Sequence, residues 1–448
     1  MNYLIPYRII TRINRRTSIS LVILAGILVS ACSSMMMPKD NSRCNSFRPE
    51  GLSLKEALPF SVKYVRKYFS LNWCAPDSLK NHFASQADLI SNLSKRNPEG
   101  EELVTIAFTG DIMWIRNGWN TFADARLTER LSSIDMLFGN LETPVDTLSG
   151  VPSLLPDYVR YNAHPGLIRS FRRSDGSNIF TALSLANNHA FDRGAAGLAG
   201  THAFLQNEGI IATGAALPGD SVPGYAVAES KGLRIGFYAA GWGMNKPELI
   251  ENGKLEMNIL PGIAPLNEEE TDISEIVSIL TKMDSDSVDF KVLFMHWGYE
   301  YEMYPDVAIV RLARRLAEAG ADMIIGSHPH VIQPAEIWET PAKADDSGTA
   351  VHRTLIAYSL GNLTTTMYSP AHRLGMVLPV TICRSNDSGE PAWHVGKPLF
   401  VYNHVRGLAG KKRRLMLYDD YIGEMQLRSN RKARRIANRL EPVFNIAF

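Results

Sequence analysis

The sequence predicts an α/β fold, on three observations. From about residue 103 short apolar runs recur, each ending abruptly in small or polar residues: "LVTIAFTGD", "IDMLFGNLE", "IFTALSLANNH", "RIGFYAAGWG", "KVLFMHWG", "ADMIIGSHPH" and "TLIAYSLGN". Runs this short, bounded by turn chemistry, read as buried strands. Helical patterns lie between several of them, and strands alternating with helices indicate an α/β core. The composition agrees: 45% hydrophobic and 21% charged residues over 448 positions describe a globule that needs no disulfide staple.

Taken in order, the elements carry their own signals. "GLAGTHAFLQNEG" has apolar residues at helical spacing and closes on Gly209, and "VAIVRLARRLAEAG" does the same with Gly320 as C-cap. "AVAESKGLRIGFYA" reads as a hairpin turning at Ser230-Lys231-Gly232. Residues 101–410 form the α/β domain on this reading. Residues 32–100 are a tether and N-terminal extension, with "SLKEALPFSVKYVRKYF" at helical spacing. Residues 411–448 are a basic helical tail, "RSNRKARRIANRL", which is a solvated surface helix or a site for an anionic polymer or headgroups. The net charge of +1 points to no nucleic-acid partner.

The N-terminus has the anatomy of a signal peptide over residues 1–31. Arg8, Arg12, Arg15 and Arg16 precede the apolar run "ISLVILAGILV", which is short for a spanning helix. It ends in "VSAC", similar to a lipobox, so Cys32 becomes the acylated N-terminus; the alternatives are an uncleaved anchor helix or a buried cysteine. Ser33 after it resembles an outer-membrane sorting signal, placing the protein outside the cytoplasmic membrane of a two-membrane bacterium. Cys44 and Cys74 are candidates for a disulfide in such a compartment, and Cys383 for a core position.

The residues just after the strands are Asp111, Asn140, Glu142, Asn187, Asn188, His189, His296, His328 and His330. Ligand sites in open α/β sheets form outside the carboxyl ends of strands. One edge of the core therefore carries carboxylates, carboxamides and imidazoles together. Oxygen and nitrogen donors without thiolate suit one or two divalent ions such as Mn, Fe or Zn.

The ordered set "TGDIM", "GNLETPV", "LANNHAFDRG", "HWGYEY", "GSHPHVIQ" and "YSLGN" closely resembles the bacterial capsule-synthesis protein CapA family, associated with poly-γ-glutamate, over residues 103 to about 380. That family resembles the calcineurin-like metallophosphatases, which implies a four-layer α/β/β/α sandwich. The resemblance makes Asp111 the first-motif aspartate, Asn188 a metal ligand, His189 the catalytic histidine, and His296, His328 and His330 further ligands. Two positions depart from the metallophosphatase pattern: Met113 stands where a histidine is usual, and Asn140 where a bridging aspartate is usual. Glu142 can supply the missing carboxylate. Asn140, Asn187 and Asp192 are bridging or supporting candidates, Trp297 a wall, and Arg116, Arg193 and Arg373 candidates for polymer carboxylates, since the guanidinium fork binds carboxylate bidentately.

Two functions follow from the resemblance. One is a metal-dependent hydrolase or transferase acting on γ-glutamyl amide or phosphoester bonds. The other is a non-catalytic, metal-containing component that binds polymer and assembles with capsule-synthesis membrane proteins.

Overall fold

A computed structural model describes residue 68 and residues 71–94, 101–152, 160–219, 224–243, 245, 248–260, 271–341, 351–384, 391–406 and 412–447. The expected signal peptide, Cys32, Cys44 and the tether lie outside the described residues, as does all of the segment 53–69 except Tyr68. Among the described residues, no helix is long and apolar enough to cross a membrane. Cys74 is disulfide-bonded, and Cys383 is buried and free.

In chain order the elements are α1 (Asp77–Leu93), β1 (Glu101–Ile112), α2 (Ala125–Ser132), β2 (Met136–Asn140), β3 (Phe180–Ser184), α3 (Gly194–Asn207), β4 (Ile211–Thr213), β5 (Ala226–Ser230), β6 (Leu233–Gly241), α4 (Ser274–Ser285), β7 (Phe290–His296), α5 (Val307–Glu318), β8 (Met323–Ser327), β9 (Ala335–Pro341), β10 (Val351–Ala357), β11 (Asn362–Thr364), β12 (Leu374–Arg384), β13 (Pro391–Val395), β14 (Leu399–Arg406), β15 (Lys412–Leu417), α6 (Tyr418–Arg428) and α7 (Asn430–Ala447). Shorter pieces connect them.

Two sheets form the centre. The first runs β15-β14-β12-β1-β2-β3-β4, with β11 pairing β1 and β13 pairing β12. The second runs β9-β10-β8-β7-β6-β5. Strands β1, β2 and β3 run parallel to one another in the first sheet, and β6, β7 and β8 in the second, while β12 and β5 flank them antiparallel. Parallel strands covered on both faces need the near-continuous apolar runs seen in the sequence. The sheets pack face to face: Phe108 of β1 meets Phe294 of β7 with ring centroids 6.0 Å apart, and Phe138 of β2 meets Phe237 of β6 at 5.1 Å. With helices outside, this is the α/β/β/α sandwich.

The expected elements have local causes. The 230–232 turn carries Lys231 and Gly232 at φ of 51° and 78°, the two left-handed residues that suit a tight hairpin joining β5 and β6. α5 starts at Asp306, whose side chain accepts from Ala308 N at 2.9 Å, and buries the stripe Ile309, Leu312, Ala313 and Leu316. The chain leaves α5 through Gly320 at φ 110°.

The segments flanking the expected domain limits pack on the same body. α1 buries Phe83, Ala87 and Ile90, and its Gln86 accepts from Ile337 N of β9 at 2.9 Å. α7 buries Ala433, Leu440, Val443 and Ala447, while Phe444 meets Phe400 of β14 at 4.7 Å. The basic tail is thus an amphipathic helix docked by its apolar face, with Arg431, Lys432, Arg434, Arg435 and Arg439 left outward.

Candidate metal centre

Strand register brings the polar residues to one edge. Asp111 at the end of β1 lies opposite Asn140 at the end of β2, and Asn140 opposite Ser184 at the end of β3; on its other side Asp111 pairs with Asn362. In the second sheet Ser327 lies opposite His296. Two glycines permit the close approach. A Cβ on Gly110 would sit 1.9 Å from Gly361 O, and one on Gly326 1.9 Å from Tyr358 O. The turn that follows is strained: His328 and His330 adopt φ of 97° and 57°, unusual for side-chain-bearing residues. Such strain persists only where surroundings impose it, and it clusters at functional sites. Here it turns both imidazoles of "SHPH" inward.

Asn140 is a hub of hydrogen bonds. Its Nδ2 donates to Asp111 Oδ1 at 2.8 Å and lies 3.2 Å from His296 Nδ1, and its Oδ1 accepts from Asn187 Nδ2 at 3.1 Å. A carboxylate at this position has no hydrogen to give Asp111, so an amide suits the arrangement. Asn187 also donates to Leu141 O and accepts from His189 N, which fixes the turn carrying Asn188 and His189. His296 Nδ1 lies 2.9 Å from Ser327 Oγ, and its Nε2 lies 2.9 Å from Asn188 Oδ1.

The buried groups left unsatisfied mark where a cation fits. Neither carboxylate oxygen of Glu142 has a hydrogen-bond partner, nor has His328 Nδ1, although both side chains are almost wholly buried. Buried polar groups are normally paired, because an unpaired one costs about 1–3 kcal/mol. Three sets of side chains are spaced to share an ion, each with ligand atoms within 4.8 Å of one another: Glu142, His296 and His328; Asp111, Glu142 and His330; and Glu300, His328 and His330. Glu142 belongs to two of them, the place a bridging carboxylate takes.

Electrostatics point the same way. Burial raises the Glu142 carboxyl well above the usual carboxylate range, against the pull of His330. Burial, with the neighbouring imidazoles, drives His296 and His328 well below the usual histidine value, so both are neutral donors at pH 7. For His330 burial pulls down, but Glu142 and Asp111, with Glu300, outweigh it and lift it to about 10. In effect a proton on His330 neutralises carboxylates that a divalent ion would neutralise better, and binding at that nitrogen would release the proton.

His189 stands beside this cluster. Its Nδ1–H donates to Asp192 Oδ2 at 2.7 Å, and Asp192 Oδ2 also accepts from Tyr161 N at 2.6 Å. The Tyr161 ring stacks on the imidazole at 3.6 Å and 6°, and Asn245 Nδ2 lies 3.5 Å from Nε2. Neither Tyr161 nor Asn245 was legible as a site residue. Glu300 was missed as well, although it sits in the "HWGYEY" stretch four residues after His296; its Oε1 lies 3.8 Å from His330 Nε2.

The remaining candidates are placed differently. Arg193 spends two N–H groups on the carbonyls of Tyr161 and Arg160, holding the segment that covers His189. Arg373 donates to Met367 O and lies 5.8 Å from the Tyr368 ring. Arg116 lines a separate cleft of 530 Å³ with Trp119, Asp146, His164 and Arg169. Trp297 is a buried wall whose Nε1 donates to Tyr358 O. Met113 packs with Tyr68, Tyr301 and Met367, filling the first-motif side with apolar and aromatic matter where an imidazole is usual.

A face-to-face sandwich whose strand ends gather carboxylates, amides and imidazoles defines the metallophosphatase-like class of proteins. Within that class, residues 105–367 match the family described as bacterial capsule synthesis protein PGA_cap, and the chain belongs to that family. It is similar to "PGA biosynthesis protein CapA" of Bacillus subtilis, 31% identical over 190 residues, which are 41% of this chain and 42% of that one. It is also similar to "Capsule biosynthesis protein CapA" of Bacillus anthracis, 26% identical over 279 residues, 60% of this chain and 61% of that one. The chain thus spans between 42% and 61% of the length of these curated relatives.

Proposed function

We propose that the protein is a capsule-synthesis lipoprotein whose site is a metal-dependent hydrolase or transferase, acting on γ-glutamyl amide or phosphoester bonds of an anionic polymer such as poly-γ-glutamate. The observation that carries the catalytic reading is the His189–Asp192 pair. A structural metal centre has no use for an oriented imidazole outside its ligand sets. Glu142, His296 and His328, with Asn188, would hold one divalent ion, and Asp111, Glu142 and His330 a second. When bound, such an ion supplies Lewis-acid polarisation of the carbonyl or phosphoryl group.

The chain's own residues supply the proton. Asp192 holds Nδ1–H, which leaves Nε2 to carry the acidic proton of the imidazolium. As water or an acceptor amine or hydroxyl bonds to the carbonyl carbon or phosphorus, giving its own proton up to solvent, the C–N or P–O bond breaks and the proton on Nε2 passes to the leaving nitrogen or oxygen. Asp192 stays bonded to Nδ1–H throughout and holds the ring in place. Tyr161, stacked on the ring, and Arg193, gripping the Tyr161 carbonyl, fix its plane.

The alternative is a metal-containing component that only binds and guides polymer, with capsule-synthesis membrane proteins as its partners. Met113 favours it, because the apolar packing there takes one nitrogen donor from the second ion. Complementation separates the two. His189→Ala should keep its metal and fold yet lose surface polymer, since general-acid catalysis contributes about 10²–10⁴-fold. Full capsule with metal-replete His189→Ala would end the enzyme reading.

The same proposal places the protein outside the cytoplasmic membrane, on acyl chains at Cys32. Each buried methylene contributes about 0.8 kcal/mol of anchoring. Cys32→Ser should abolish labelling by an alkyne fatty acid and release the protein from membranes; undiminished labelling contradicts the anchor.

A further inference from the structure

We propose that Glu300 is a direct ligand of a divalent cation, completing a set of donors with His328 and His330 on the outer side of the paired histidines. The inference rests on the metal reading above and adds a residue that the metallophosphatase resemblance did not carry over.

The loop after β7 is held against the histidine turn from two sides. Tyr301 N donates to Pro329 O at 2.9 Å, between the two histidines. On the other side Asn72 N donates to Tyr301 O at 3.0 Å, Met303 N donates to Asn72 O at 2.8 Å, and Gln333 Nε2 donates to Glu302 O at 2.9 Å. Gly298 and Tyr301, at φ of 87° and 67°, make the bend that turns the chain back. Glu300 is therefore positioned by backbone on either side of it, as a ligand needs to be.

Its distance to His330 also fits a shared ion. Glu300 Oε1 lies 3.8 Å from His330 Nε2, too far for a hydrogen bond. Two donors each about 2.0–2.2 Å from one Zn²⁺ or Mn²⁺ ion stand roughly 3–4 Å apart. His330 presents its other nitrogen inward, with Nδ1 3.0 Å from Asn362 Oδ1, 3.3 Å from Asp111 Oδ2 and 3.6 Å from Glu142 Oε2. Nε2 thus faces Glu300 rather than the inner carboxylates. His328 Nδ1, buried and without a hydrogen-bond partner, is the unexplained nitrogen nearby. The ligand atoms of the three residues fall within 4.8 Å of one another. Met113 withdraws a nitrogen from the first-motif side; Glu300 offers an oxygen 3.8 Å from His330 Nε2.

The test uses full-length protein in detergent, titrated with Mn²⁺ and Co²⁺. Glu300→Gln should lower affinity for one equivalent of Mn²⁺ by more than about 100-fold, beyond what loss of an indirect contact does. Glu300→Cys loaded with Co²⁺ should show a thiolate-to-cobalt charge-transfer band that wild type, whose free Cys383 is buried elsewhere, lacks. Wild-type affinity in Glu300→Gln overturns the proposal and leaves the metal reading standing. Reduced affinity in Glu300→Gln without a band in cobalt-loaded Glu300→Cys also overturns it, making Glu300 a positioning residue. If wild type takes up neither ion, the metal reading fails and this proposal with it.

Discussion

Two fully buried glutamates in this protein live under opposite conditions. Glu336, on β9, accepts from Tyr358 Oη at 2.6 Å and from Arg314 at 2.7 and 3.1 Å, and meets His82 of α1 as well. Burial alone would raise its carboxyl, yet the Arg314 and Tyr358 hydrogen bonds hold it below the usual range. Glu142, equally buried, accepts no hydrogen bond and is pushed well above that range. A folded chain that can satisfy one buried carboxylate so fully has no structural reason to strand another. The stranded one stands among His296, His328 and His330, where a cation would do what Arg314 does for Glu336. Burial and charge alone mark both as unusual; whether the partners are present separates a structural ion pair from a binding site.

Glu336→Ala removes the partner of Arg314 and unties α1 from β9. Removing one member of a buried pair costs about 3–5 kcal/mol, and the low end applies because Arg314 keeps some contact with water. Chemical denaturation should show a loss of about 3 kcal/mol with metal content unchanged. A loss of metal without a loss of stability would exchange the roles assigned to the two glutamates.

A smaller effect sharpens the comparison. His372 is buried between Tyr68 and Tyr301, with no hydrogen bond to either ring nitrogen, and burial, helped by His330 and Arg373, lowers it to about 3. An unfolded histidine titrates near 6.5. The unfolded state therefore binds the extra proton, so the stability from keeping His372 neutral is present above pH 6.5 and is lost as pH falls toward 3. At about pH 5 the loss is about 2 kcal/mol. Metal-free His372→Phe should lose correspondingly less stability than wild type between neutral pH and pH 5, read by denaturant titration. Equal acid sensitivity would show that His372 is not held neutral.

The alternation of strands and helices was legible because its causes are local, while the face-to-face sandwich came only from the family resemblance. Apolar runs, the Lys231-Gly232 turn and the Gly320 helix end each act within a few residues. The strand-end cluster of carboxylates, amides and imidazoles was legible because parallel register puts the ends of neighbouring strands side by side. What stayed hidden depends on approach across the chain. Glu336 and His82 are 254 positions apart, and Tyr161 reaches His189 because Asp192 and Arg193 bind its backbone. Arg193 and Arg373 lie near motif segments, but nearness in sequence says nothing of where a long side chain spends its hydrogens. The reverse held for Glu300, whose motif was visible while the φ values that turn its loop back were not.

On the reading proposed above, Glu142 lacks hydrogen-bond partners because a divalent ion completes it. Elemental analysis of wild type and Glu142→Gln, each purified without chelator and then stripped for denaturation, tests this most directly. Wild type should hold one to two equivalents of Mn, Fe or Zn, nearly all lost in Glu142→Gln, and the stripped variant should be at least as stable as stripped wild type because a buried carboxylate that accepts no hydrogen bond is gone. Full metal content in Glu142→Gln, or a wild-type protein that retains none, would contradict it.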